Sequence, residues 1–267
     1  MNCFICTSCG TQFANSSTPP AHCPICDDDR QFNAGHMQEW TTHDALSRSH
    51  RLRIEDDDGV LGFGITPNFA IPQRALLLPT DGGNILWECV SLVTDEVVSA
   101  LNARGGVDLI TVSHPHFYSS MVEWSEALGG VPILLHEADR EWMQRPSARI
   151  SFWSGDTQEL SAGVTLLRAG GHFPGSTVLH WKDGPRAGGA LFAGDAPFIP
   201  ADRRRFTFLY SAPNYVPMPS REIRRMRELL NGYDFADAYG FTWGRNLIGN
   251  ARAILDASFD RHLANAA

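Results

Sequence analysis

The chain has 267 residues, 43% of them hydrophobic and 19% charged, with a formal net charge of −8. That composition fits a globular protein with one large core and excludes an intrinsically disordered chain. An acidic surface repels phosphate backbones, so no nucleic-acid partner is expected, and no segment approaches the ~20 apolar residues of a membrane span. The triplet Arg203-Arg204-Arg205 is a local exception and reads as a solvated turn. The opening MNCFICTSCG lacks the basic-then-apolar order of a signal peptide, so the expected compartment is a reducing cytoplasm.

Residues 1–35 stand apart. Five of the six cysteines fall here, the stretch is turn-rich at Ser16-Ser17-Thr18-Pro19-Pro20, and it has no long apolar run. A chain of under ~40 residues seldom holds a core without a metal or disulfide. Cys6-x2-Cys9-Gly10 and Cys23-Pro24-Ile25-Cys26 are two Cys-x2-Cys pairs separated by residues 10–22. Each pair presents two thiolates from one tight turn, and two facing turns make a tetrahedral S4 site suited to Zn²⁺ or a single iron. Cys3 is left as a spare thiol or an alternative ligand. Residues 36–60 read as a connector carrying the acidic run Glu55-Asp56-Asp57-Asp58. The expected division is therefore a knuckle over 1–35 and a larger domain over 36–267.

From about residue 61 short apolar strands alternate with turns. Arg74–Thr80 and Ile85–Val90 flank Asp81-Gly82-Gly83 and read as a hairpin. A helix is predicted near 94–104, with Asp95 and Glu96 in its first turn and Gly105-Gly106 ending it. Val107–Val112 is a short buried strand. Ser119 or Ser120 caps a helix running to about Leu128, Val131–Leu135 is the next strand, and Ala138–Gln144 is helical. Later strands are predicted near 147–153, 164–168, 176–182, 189–193 and 206–210, and helices over 219–231 and 246–264. Helices mixed with hairpin-joined strands make an α/β protein with mixed sheets.

Three strand ends carry chemistry. Thr111-Val-Ser-His114-Pro-His116-Phe-Tyr118-Ser119 follows a buried strand, and its two histidines at i and i+2 can point at one ion. Ala169-Gly-Gly-His172-Phe-Pro-Gly175 is a glycine-rich turn with one histidine, and Ala193-Gly194-Asp195 places a carboxylate after an apolar strand. One such feature alone reads as structural; three in this order are hard to explain that way.

On these motifs the chain resembles the metallo-β-lactamase superfamily from about residue 60 to 250. His114 and His116 match the first two histidines of that family's His-x-His-x-Asp-His motif. His172 matches the histidine of its glycine-rich turn, and Asp195 its bridging aspartate. The resemblance implies an αββα four-layer sandwich of two mixed β-sheets flanked by helices, with metal at one edge. Residues 1–35 resemble zinc ribbons and rubredoxin-like knuckles. Three positions depart from the family pattern: Tyr118 replaces its aspartate, Ser119 its last motif histidine, and the loop Tyr239–Arg245 has no histidine. The resemblance makes these the ligands of a second metal, so the set for one ion remains whole.

Three histidines and a carboxylate around zinc acidify a bound water, and the implied activity is hydrolysis of a small ester, thioester, lactone or amide. Asp195 is then a ligand or a general base. Tyr118 either donates to an oxyanion or leaving group or merely fills the vacated second-metal space. Trp243 and Arg245 are expected to line the pocket, with Arg245 holding a substrate carboxylate. With iron instead, the set approximates a two-His-one-carboxylate triad, and the chain resembles the mononuclear iron persulfide oxygenases of the superfamily. A non-catalytic binding protein on the same fold is the third reading. Zinc or iron remains open at either centre, with structural zinc favoured in the knuckle. The knuckle itself reads as a staple, a homodimer contact or a pocket cover. His136 is expected at a structural strand end, Trp124 inward, and Trp142, Trp153 and Trp181 in core or subunit contacts. The loop Ser211–Pro219, with Tyr210 beside it and Asn214 and Tyr215 within it, is expected to form a pocket wall or lid.

Overall fold

The computed structural model describes residues 1–31 and 38–265. The expected boundary between 35 and 36 lies outside the described residues. The elements in chain order are β1 (Phe4–Cys6), α1 (Pro24–Asp27), β2 (Trp40–Thr42), α2 (His43–Ser49), β3 (Arg51–Asp57), β4 (Val60–Thr66), β5 (Arg74–Thr80), β6 (Gly83–Trp87), α3 (Asp95–Asn102), β7 (Leu109–Thr111), α4 (Met121–Ala127), β8 (Ile133–His136), β9 (Ile150–Trp153), β10 (Thr157–Ser161), β11 (Val164–Arg168), β12 (Thr177–Trp181), β13 (Ala190–Phe192), α5 (Ser220–Leu230), β14 (Asp237–Tyr239), β15 (Asn246–Leu247) and α6 (Ala251–Asn265).

Strands β3 to β9 form a seven-stranded sheet in sequence order, antiparallel through β6 and parallel from there to β9. Strands β10 to β15 form a six-stranded sheet in which only β13 and β14 run parallel. Side chains alternate across each strand, and the sequence uses both faces. Leu76, Leu78, Ile85 and Trp87 of the first sheet meet Leu166, Leu179, Trp181 and Phe192 of the second. Ala75, Leu77 and Leu86 face outward against Val97 and Leu101 of α3 and Val122 and Trp124 of α4. Leu167, Val178 and Leu191 pack under Ile223 and Met226 of α5 and Leu255 and Phe259 of α6. The result is the four-layer αββα arrangement. No described helix is long and apolar enough to cross a membrane.

The expected hairpin forms over 74–87, its second strand starting at Gly83 opposite Thr80 and ending at Trp87 rather than Val90. Thr94 caps α3 by accepting from the Val97 N–H. Trp124 packs inward, its indole donating to the Val90 carbonyl at 2.8 Å. Four other local expectations differ from the structure. The connector expected over 36–60 carries structure in its described part: Trp40–Thr42 pairs with β1, and β3 is an edge strand of the large sheet whose charges suit an edge. Residues 206–210 make only isolated bridges, Phe198 to Thr207 and Leu209 to Pro217. The turn Glu137–Trp142 is a 3-10 helix. The last helix begins at Ala251, because Asn246 and Leu247 are taken up pairing with β14.

One buried charge ties the C-terminal loop to the sheet. Arg74 is fully buried, pairs with Asp57, and donates from Nη2 to the Gly240 carbonyl at 2.9 Å and to Asn246 Oδ1 at 2.7 Å. A buried guanidinium is tolerated only with its donors satisfied in this way.

Candidate functional site

Two groups of side chains are spaced to hold a metal. In the first, Cys6 Sγ lies 3.7 Å from Cys26 Sγ and Cys9 Sγ 3.7 Å from Cys23 Sγ, all four sulfurs buried. A disulfide would bring sulfurs to about 2 Å, whereas a tetrahedron with metal–sulfur bonds of ~2.3 Å has edges of about 3.8 Å. The thiols therefore fit an S4 metal site. Gly10 follows the first pair at φ +83°, and a Cβ there would strike Ser91 Oγ at 2.4 Å, so this turn needs glycine to reach the domain. Cys3 lies outside the cluster and is half-buried.

The second group is His114, His116, His172 and Asp195, all buried. His114 leaves β7 extended (φ −167°, ψ 170°), and the 3-10 turn Pro115–Phe117 swings His116 back beside it. Gly170 and Gly171, at φ +60° and +77°, shape the turn that presents His172. Gly194 brings Asp195 off β13 into close approach: a Cβ there would lie 2.7 Å from Ser113 Oγ and 3.1 Å from His114 Nδ1. His172 Nε2 lies 3.1 Å from His116 Nδ1. Asp195 Oδ2 lies 3.4 Å from His114 Nε2, 3.8 Å from His116 Nδ1 and 3.3 Å from His172 Nε2. Ligand bonds of 2.0–2.1 Å give tetrahedral edges of about 3.4 Å, so the four atoms fit a zinc- or iron-sized ion.

Hydrogen bonds fix which nitrogens face that point. His172 Nδ1–H donates to the Tyr210 carbonyl at 2.6 Å, leaving Nε2 with its lone pair inward. His114 Nδ1 is 2.8 Å from Ser113 Oγ, which likewise directs Nε2 inward. Buried Nε2 atoms of His114 and His116 have no hydrogen-bond partner among the described residues. For His114 that orphaned atom is the one facing Asp195. Burial lowers His114 to about 4 and His116 to about 3, favouring the neutral imidazoles that bind metals. Burial alone would raise the Asp195 carboxyl, but the three histidine side chains packed around it outweigh that and hold the group well below its usual range.

Two acidic residues behind the cluster were not anticipated. Glu88 is fully buried at φ +65°, accepts from the Ser113 N–H at 3.2 Å, and is raised by burial to about 8. Its signal was an acid ending the apolar strand Ile85-Leu-Trp-Glu88. Asp139 accepts from the Gly175 N–H at 2.7 Å, buttressing the His172 turn, and no local pattern announced it.

A cavity of about 350 Å³ opens beside the cluster. His116 and Asp195 line it together with Ile71, Phe198, Leu209 and Phe241, and the amides of Gln31 and Asn214 add polar points. Asn214 thus lies in the wall expected of the 211–219 loop. The other candidates fall elsewhere. Tyr118 is buried in the core around α4, away from this wall, and burial raises its phenol well above the ordinary value. Trp243 lies across Gly62 and Gly64 of β4, with the Arg53 guanidinium 4.3 Å from its ring centroid. Arg245 is one layer back, 5.7 Å from the ring of the wall residue Phe198. In the loop that resemblance made the source of a last histidine, Phe241 reaches the cavity instead. His136 is structural, as expected, with its ring 3.0 Å from the Gly155 carbonyl.

No protein-family model matches the chain. The uncharacterized protein YmaE of Bacillus subtilis (strain 168) is 38% identical over 239 residues, covering 88% of this chain and 87% of YmaE. Among solved structures, VMB-1 superposes with a TM-score of 0.60 at 16% identity, covering 81% of this chain and 99% of VMB-1. The DIM-1 metallo-β-lactamase gives 0.56 at 12%, covering 81% and 96%. TTHA1623 in a di-iron-bound form gives 0.51 at 18%, covering 69% and 92%. At these identities the structures speak for the fold, and YmaE for the family. The chain belongs to one family with YmaE of Bacillus subtilis, and its fold is that of the metallo-β-lactamases.

Proposed function

We propose that the protein is a metal-dependent hydrolase of a small, largely apolar organic substrate, working with a single metal ion at His114, His116, His172 and Asp195. The observation that carries the reading is the cluster itself: four buried ligand atoms close enough to share one ion, two of them from residues lining a cavity whose other described walls are mostly apolar. A zinc ion there would bring the acidity of a bound water toward neutrality and polarise a substrate carbonyl. The chain supplies the rest. Tyr210 and Ser113 hold two imidazoles in the tautomers that point inward. Asp195 stays ionised, so it can ligate the ion and orient a water. Ile71, Phe198, Leu209 and Phe241 exclude bulk water and favour an uncharged ester, thioester, lactone or amide. Among the described residues no arginine or lysine lines this cavity, and Arg245 lies behind the wall residue Phe198.

Iron chemistry is the second reading. It is favoured by the same donor set and by the di-iron-bound form of TTHA1623 on the shared fold. One experiment separates the two: metal analysis and an absorption spectrum of the wild type beside a His114→Ala/His172→Ala double variant, with a panel of neutral substrates. Two equivalents of zinc falling to one, with turnover lost, supports the hydrolase. Bound iron with substrate-dependent oxygen uptake replaces it. One equivalent in both proteins leaves metal in the knuckle alone and removes the enzymatic reading.

A further inference from the structure

The four-cysteine module does more than sit beside the sandwich. Its first turn meets the loop carrying His114 and His116: the Gln12 N–H donates to the Ser119 carbonyl at 2.9 Å, and Ser91 Oγ donates to the Gly10 carbonyl at 2.8 Å. Its second turn continues into Asp28–Gln31, which crosses to the His172 turn. Arg30 Nε donates to the His172 carbonyl at 2.7 Å. Arg30 Nη1 is in turn held by both oxygens of Asp28, at 2.8 and 2.7 Å, a chelated geometry that fixes the guanidinium plane. That plane lies 4.9 Å from the centroid of Phe173 and 5.5 Å from that of Tyr210.

The same arm also holds the residue that orients His172. The Tyr210 carbonyl accepts from His172 Nδ1, and the Tyr210 hydroxyl donates to Asp29 Oδ1 at 3.2 Å. The Ala212 N–H donates to the Arg30 carbonyl at 2.7 Å, and Gln31 bridges to Ala212 before entering the cavity wall. His172 is therefore gripped through its backbone by Arg30 and through its ring by Tyr210, and both grips run back to residues 28–31. The arm starts two residues after Cys26, and the module's buried core consists of the four cysteines with Phe13 and Ile25. A core that small leaves the arm's position dependent on the thiolate site.

We propose that Arg30 is a positioning residue for His172, through which the four-cysteine site and the His/Asp site are thermodynamically coupled. A metal in the knuckle orders the arm, the arm holds His172 at its ligating position, and the second site binds more tightly. By linkage the effect is reciprocal: filling the His/Asp site tightens the knuckle by the same factor. The inference rests on the His/Asp cluster holding a metal, not on what reaction follows.

The test is a cobalt(II) titration of the full-length chain after both sites are stripped with chelator under reducing conditions. Sulfur-to-cobalt charge transfer reports the knuckle, and the weaker visible d–d bands report the nitrogen–oxygen site. In Arg30→Ala, cobalt affinity at the His/Asp site should fall about 10- to 100-fold, as when supporting contacts behind a metal ligand are removed. Arg30→Lys, which keeps one donor for the His172 carbonyl but loses the paired hold on Asp28, should fall between. Cys23→Ser/Cys26→Ser should weaken the His/Asp site although all four of its ligands are intact, and His172→Ala should weaken the thiolate site. Denaturant midpoints of the metal-free proteins separate positioning from stability: the midpoint of Arg30→Ala should stay near that of wild type. Equal His/Asp affinities in wild type, Arg30→Ala and Arg30→Lys overturn this inference while leaving the metal site standing. A wild type that binds no second cobalt overturns both it and the functional reading.

Discussion

The two metal-sized clusters are built in opposite ways. The knuckle draws its four ligands from residues 6–26, on two turns of nearly the same design, and those ligands make up most of the buried core around them. The His/Asp site draws its ligands from residues 114–195 and from loops at the ends of both sheets, over cores that exist without it. One centre is what its module folds around. The other sits on the cores of the sandwich, with His172 also held from residues 28–31. Similar tetrahedral geometry can therefore serve as the cause of a structure or as its product, and perturbing each should look different.

The largest effect is expected from Cys23→Ser/Cys26→Ser. Structural zinc contributes apparent binding energies of about 10–16 kcal/mol to the folding of small knuckles. Limited proteolysis should then cut within residues 1–31 and leave the sandwich protected; a sandwich digested at the same rate would break the contrast. Next, the zinc-loaded wild type should exceed the His114→Ala/His172→Ala variant in unfolding free energy by about 4 kcal/mol when free zinc is a thousandfold above its Kd. The variant should keep a single cooperative transition and a wild-type far-ultraviolet spectrum, because the site does not hold the core together.

The third prediction concerns pH. Burial raises Glu88 to about 8 from an ordinary value of 4.5, so between those values the folded metal-free protein binds more protons than the unfolded chain. Its contribution to stability is full below about pH 4.5 and is lost as pH rises to about 8. Glu88→Gln should remove that slope, leaving the variant more stable than wild type by a few kcal/mol at pH 8 and nearly level with it at pH 4.5, as read by denaturant melts. The smallest effect is expected at Gly64, where a Cβ would lie 2.4 Å from Trp243 Nε1. Gly64→Ala should cost about 1–3 kcal/mol by forcing that ring aside. Metal content at both centres should not change, since Trp243 touches neither.

The same contrast explains what could be read from the sequence. The knuckle was legible from spacing alone, because Cys6, Cys9, Cys23 and Cys26 meet through local turns. The His/Asp set was legible from its order along the chain and from resemblance, since each ligand closes an apolar strand. The hairpin at 74–87 and helix α3 were legible because turn and cap residues mark them. Strand β3 was not: its edge position lets it carry Arg51, Arg53, Glu55, Asp56 and Asp57, so it lacks an apolar signature. Nor were the supports of the site, because Arg30 meets His172 across 142 residues and Asp139 meets Gly175 across 36. The surroundings of Trp243 and Arg245 were hidden for a related reason. Both residues lie in the expected loop, but the glycines of β4 and the ring of Phe198 give them places that chain position does not reveal.

The ligands' division between the sheets has a mechanical consequence. His114 and His116 leave the seven-stranded sheet, and His172 and Asp195 leave the six-stranded one. An ion held by all four would tie the two sheets together beside the cavity. Withdrawing it would remove that tie. Amide hydrogen exchange in the 113–119 and 170–176 loops should then quicken together on chelation, while the strands behind them keep their protection.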